Sequence, residues 1–117
     1  MIRLALAGAA LCGLTGCRCS DARQPFSCDR LQVRAETCQP EALTQIRQAL
    51  AARKDRDHQF EMFRYRLNKK LRDKRIEKQC EKFGAAKGPE YERRLAAMKT
   101  CYAKADCAEF VRCLLGP

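Results

Sequence analysis

The chain has 117 residues, nine cysteines, no tryptophan and a formal net charge of +10. A chain this short buries only about 60–65% of its unfolded surface, so its thinly spread apolar residues need help from cysteine staples. Six glycines and four prolines are too few for collagen-like or low-complexity sequence, and the charge bears on partners and solubility rather than on fold.

The amino terminus reads as an export signal. Met1-Ile2-Arg3 supplies a short positive region, and residues 4–14 form an uncharged apolar stretch of eleven residues. That suits a signal segment but falls short of the ~20 residues needed to span a bilayer. Gly8, Gly13 and Gly16 argue against a buried helix there, each weakening a soluble helix by about 1 kcal/mol.

The next four residues carry a more specific pattern. Leu14-Thr15-Gly16-Cys17 offers a branched apolar residue, two small residues and a cysteine. It resembles the lipobox of bacterial lipoproteins, in which cleavage falls just before a cysteine that carries acyl chains. The resemblance implies a signal peptide over 1–16, cleavage between Gly16 and Cys17, and lipidation at Cys17. Cys12 and Cys19 do not fit, because Leu11 and Arg18 precede them where a small residue is required. One acyl chain anchors a protein marginally and two or three anchor it stably. The enteric rule that Asp after the lipidated cysteine retains the protein at the inner membrane finds Arg18 here. This favours an outer-membrane destination, facing the periplasm or the cell surface.

Residues 17–25 then form a lipidated tether without periodicity, and residues 26–117 a cysteine-rich domain. Few β-branched residues, no polar–apolar alternation and no Asn-Gly or Asp-Gly turn leave helix as the one regular element. Ser27 can cap a first helix over 28–38, whose Cys28, Leu31, Ala35 and Cys38 share a face. Pro40 opens a long helical run over 40–83, carrying Leu43, Ile46 and Leu50, then Phe60, Phe63, Leu67 and Leu71, then Ile76, Cys80 and Phe83. As one helix that run would extend ~66 Å at 1.5 Å per residue, against a radius of gyration near 13 Å for a compact chain. The wholly polar residues 53–58 therefore predict a break, or else the protein is elongated. Gly84 is expected to end the run and Lys87-Gly88-Pro89 to turn the chain. A helix from about 89 carries Tyr91, Leu95, Met98 and Tyr102, and Asp106 can cap a last one with Cys107, Phe110, Cys113 and Leu114. The expected fold is all-α, a small disulfide-stapled bundle or hairpin of about four to five helices.

Export to an oxidising compartment makes disulfides the default state of Cys28, Cys38, Cys80, Cys101, Cys107 and Cys113, with Cys19 the odd one out in the tether. Six cysteines allow 15 connectivities. On straight helices Cys28 and Cys38 lie ~15 Å apart and Cys107 and Cys113 ~9 Å apart, too far for a Cα separation of about 7 Å or less. No cysteine occupies 39–79, so Cys28 and Cys38 must both reach Cys80 or beyond. Twelve connectivities meet that condition, and dropping the two that pair Cys107 with Cys113 leaves ten. Zinc would prefer two to four residues between ligands, whereas the intervals here are nine, forty-one, twenty, five and five. A Cys-x-x-Cys redox pair is absent. The ending, Cys-Tyr-Ala-Lys-Ala-Asp-Cys-Ala-Glu-Phe-Val-Arg-Cys over 101–113, resembles small cysteine-rich helical lipoproteins of myxobacterial type, which implies architecture and no activity.

Between Arg64 and Lys82 nine basic residues face three acidic ones. Pairs such as Lys69 with Asp73 at i, i+4 absorb part of the surplus. The rest is either a solvated face or a contact for an anionic partner, carried by Arg66, Lys69, Lys70, Arg72 and Lys74. Lipid head groups or an anionic envelope polymer would meet these side chains as phosphates and carboxylates. Nucleic acid would suit the charge, but an exported, acylated protein does not ordinarily meet it. Catalysis has little to work with: His58 is the single histidine, Ser20 and Ser27 are the only serines, and no phosphate-cradling loop or metal-helix motif occurs. No catalytic residue, metal or cofactor is assigned, and the expectation is a non-enzyme. The reading is a lipid-anchored structural or binding module of the cell envelope. A periplasmic chaperone or assembly factor, which would need an exposed apolar groove, is the alternative, and an enzyme ranks behind both.

Overall fold

A computed structural model describes residues 24–116. The expected signal peptide 1–16, the lipidation site Cys17, Cys19 and most of the tether lie outside the described residues.

Ser27 adopts extended backbone, and its hydroxyl accepts from the Arg30 amide at 3.4 Å, starting α1 at Cys28–Thr37. Cys38 alone separates it from α2, Gln39–Leu50, which has proline in its first turn. The polar linker then turns the chain into α3, Arg56–Arg72. Next come α4, Arg75–Ala85, and α5, Pro89–Tyr102. Asp106 caps α6, Cys107–Leu115, its carboxylate accepting from the Glu109 amide at 2.8 Å. The fold is all-α, with no strand among the described residues, and three disulfides staple it.

The bridges join Cys28 to Cys80, Cys38 to Cys107 and Cys101 to Cys113, one of the ten pairings that helix geometry left open. The first two close 52 and 69 residues of chain. Loops of that length constrain the unfolded state by about 4 kcal/mol each in the chain-entropy account. Around these bridges Leu31, Ala35, Cys38, Ala42, Leu71, Cys80, Cys101, Tyr102, Phe110 and Val111 form the core.

Among the described residues six helices stand where four to five were expected, because the chain breaks twice between 40 and 83. The break at 51–55 overlaps the polar stretch 53–58, whose last three residues already open α3. The second, at Asp73 and Lys74, has no glycine or proline to announce it, and Lys74 takes left-handed backbone at φ 56°. That conformation costs a non-glycine residue about 1 kcal/mol. A side chain on α1 stabilises the break. Gln32, 1% exposed, donates from Nε2 to the Leu71 carbonyl at 3.1 Å and to Glu36 at 2.9 Å. Its Oε1 accepts from the Glu77 amide at 3.0 Å. One amide thus adds a second donor to the Leu71 carbonyl, which also accepts from the Lys74 amide at 3.2 Å, and supplies the acceptor for an amide in the first turn of α4 that the helix itself leaves unpaired. Lys74 adds an ion pair with Glu36 at 2.8 Å. Together with Cys28–Cys80 these contacts set α1 and α4 antiparallel.

Gly84 does not end its helix: α4 continues through it to Ala85. Gly88 makes the turn at φ 132°, a conformation that favours glycine, ahead of Pro89. The break near 53–58 does not make the molecule compact. It measures 58 × 39 × 24 Å with a radius of gyration of 16.8 Å, so both expected alternatives, break and elongation, hold together.

Candidate functional site

The last two turns of α3 carry Arg66, Lys69 and Lys70 at three- and four-residue spacing, which places them on one exposed face. The break at 73–74 then brings in Arg75, the first residue of α4. Arg66, Lys69, Lys70, Asp73 and Arg75 line an open depression of about 220 Å³. Three of the five expected contact residues therefore converge. Arg72 and Lys74 do not line the depression, and Lys74 is engaged by Glu36. Arg75 was missed because a continuous helix would have carried it round to a different face.

The charges are unevenly compensated. Lys69 pairs with Asp73 at 3.1 Å, and that hydrogen bond holds the Asp73 carboxyl below the usual aspartate range, with Arg72 and Lys78 adding to the effect. Among the described residues, Arg66, Lys70 and Arg75 have no carboxylate within ion-pair distance. Lys69, Lys70 and Arg72 complement the negative end of the α3 dipole. Arg75 has no such explanation, because it stands at the positive end of α4.

One turn earlier, Met62, Phe63 and Tyr65 are exposed at 36%, 39% and 67%, next to Arg64 and Arg66. Arg64 is paired with Glu61. His58 is exposed in the first turn of α3, away from this cluster. The six described cysteines are all in disulfides and hold no thiolate for a metal or a redox step.

Beside the basic depression runs an apolar groove of about 260 Å³, which sequence periodicity did not reveal. Leu67 and Leu71 of α3, Ile76 of α4, Met98 of α5, and Val111 and Leu114 of α6 line it, with Lys70 and Gln79 its polar members. Lys70 belongs to both sites, lying four residues from Arg66 on one side and three from Leu67 on the other.

No protein-family model, curated protein or solved structure matches the chain. Among the described residues no helix is long and apolar enough to cross a membrane.

Proposed function

We propose that the protein is a lipid-anchored module of the bacterial cell envelope, held by acyl chains on Cys17, that touches anionic envelope polymer or lipid head groups through the α3–α4 basic face. The observation that carries the contact is the convergence of Arg66, Lys70 and Arg75 on one depression without carboxylate partners. Arg75 adds weight because the helix end it occupies disfavours a cation. Met62, Phe63 and Tyr65 extend this face with side chains suited to the headgroup zone, where one end is apolar and the other wet. The lipobox pattern at residues 14–17 supports the anchor.

Two measurements test the reading. Mass spectrometry of the unreduced mature protein should find Cys17 at the amino terminus with acyl mass added. Retention on phosphatidylglycerol vesicles at low salt, measured with unacylated Cys17→Ser protein, should fall at least tenfold when Arg66, Lys70 and Arg75 are reversed to Glu. Arg72→Glu, outside the depression, should change it far less. Equal effects of the two changes would reject a defined face.

The apolar groove is the feature that a second reading, the periplasmic chaperone or assembly factor, would use to hold an apolar client side chain. Suppression of aggregation of an unfolded client, lost when Leu114→Trp fills the groove, would support it.

A further inference from the structure

The groove and the basic depression meet at Lys70, and we infer that together they bind one molecule: a single-chain anionic lipid, its aliphatic chain in the groove and its phosphate head on Arg66, Lys70 and Arg75. This deepens the proposed contact of the same basic face and rests on it.

The argument begins with the groove. Its lining is aliphatic, thioether or, at Phe110, aromatic apart from Lys70 and Gln79, and no acidic residue lines it. At about 260 Å³ it exceeds the roughly 150 Å³ cavity that accepts benzene and approaches the lower end, about 300 Å³, of ordinary ligand pockets. That volume suits one aliphatic chain and is too small for two. Met98 can adapt its rotamers to a chain of indefinite shape. Leu115, 54% exposed on the groove's edge, is apolar surface that such a chain would cover.

The mouth fixes the head group. Lys70 can lay its methylene stem along the lip beside Leu67 while its ammonium faces the depression. Arg66 and Arg75 stand in that depression, and neither is paired with a carboxylate among the described residues. One carboxylate has two oxygens and a single charge, and three cations exceed it. A phosphomonoester presents three oxygens and up to two charges, and guanidinium groups meet it bidentately. Asp73 does not oppose the head group strongly, because Lys69 already holds it. A client peptide fits less well, since it brings backbone polar groups that the apolar lining cannot satisfy.

The test uses the mature, acylated protein with its disulfides intact, released from micelles of an uncharged detergent for native mass spectrometry. Lysophosphatidic acid, lysophosphatidylcholine and laurate are titrated separately. One equivalent of lysophosphatidic acid should bind at least tenfold more tightly than the zwitterionic lipid. Lys70→Glu should remove that preference while leaving lysophosphatidylcholine within twofold. Leu114→Trp should weaken both lipids at least tenfold, with circular dichroism and disulfide mass unchanged. Equal binding of the two lysolipids, non-saturating adducts, or indifference to Leu114→Trp would overturn the inference. Laurate binding as tightly as lysophosphatidic acid would overturn the phosphate assignment, and stoichiometric displacement of lipid by an apolar peptide would hand the groove to the chaperone reading. The contact reading fails separately, through vesicle retention that does not respond to charge reversal at Arg66, Lys70 and Arg75.

Discussion

The stapled body and the cysteine-free arm of this molecule are held by different means. In the body, α1, α4, α5 and α6, with Cys38 at the α1–α2 junction, hold the three disulfides of the described residues and most of the buried side chains. The arm is the α2–α3 hairpin between Cys38 and Cys80, joined to the body by Ala42, Leu67 and Leu71 at its base. Towards its tip only Leu50 and Phe60 are buried, apart from the main core, and the Arg47 guanidinium covers the Phe60 ring at 3.8 Å. Residues 51–58 are all exposed. Covalent links thus add to apolar burial in the body, while the arm must rely on a small satellite contact and on its attachment. The basic face sits near the arm's base, where α3 meets α4 under the Gln32 bridge, so its cations are positioned by the end of the hairpin that is packed on the core.

The largest expected effect comes from opening the longest staple. Cys38→Ser combined with Cys107→Ser should cost the body about 2–5 kcal/mol in denaturant unfolding. Hydrogen exchange of the tip amides over 51–58 should stay as fast as before. Tip amides that were protected in the parent and lost protection together with α1 would erase the distinction between the two regions.

A smaller loss is expected from Gln32→Ala, about 1–3 kcal/mol, because the Glu77 amide loses its partner in a partly buried setting and the buried bond to the Leu71 carbonyl goes with it. The same variant should loosen the α3–α4 junction, read as faster exchange at Glu77 and Lys78. A change within 0.5 kcal/mol would mean that packing alone holds the break.

The smallest effect concerns pH. Lys74 and Gln32 hydrogen-bond Glu36 and hold its carboxyl below the ordinary glutamate range. A carboxyl lowered in the folded state stabilises it above its unfolded value, about 4.3, and that stability is lost as pH falls through the lowered folded value. Glu36→Gln should therefore flatten the acid side of the stability profile below about pH 4 and leave the amino-terminal disulfide intact. Lys74, raised by the same pair, gives the mirror effect only at strongly alkaline pH. An acid limb unchanged by the substitution would assign acid sensitivity to other carboxylates.

Much of this architecture was legible in local chemistry. Ser27 and Asp106 announced their helices by capping, Pro40 and Pro89 by their fixed backbone, and the polar stretch 53–58 marked a break, which falls at 51–55, by having nothing to bury. The elimination of pairings from Cys28 and Cys38 narrowed the disulfides because helix rise limits the distance a bridge can span. The break at 73–74 was not legible. Gln32, some forty residues earlier, bonds across it, and a lone glutamine on a helix gives no sign of where its amide will bond. The candidate site was half-legible for the same reason: Arg66, Lys69 and Lys70 follow from helical spacing, whereas Arg75 joins them only once the chain has bent.

What the sequence determined alone is therefore helix content, most helix boundaries, the reliance on disulfides and the existence of a strong basic surplus, all of which depend on neighbours within a few turns. Tertiary structure decided which cysteines meet, where the long run bends a second time, and that cations and an apolar groove adjoin at Lys70. Those outcomes depend on side chains distant in the chain arriving at one place, and only the packed fold brings them there.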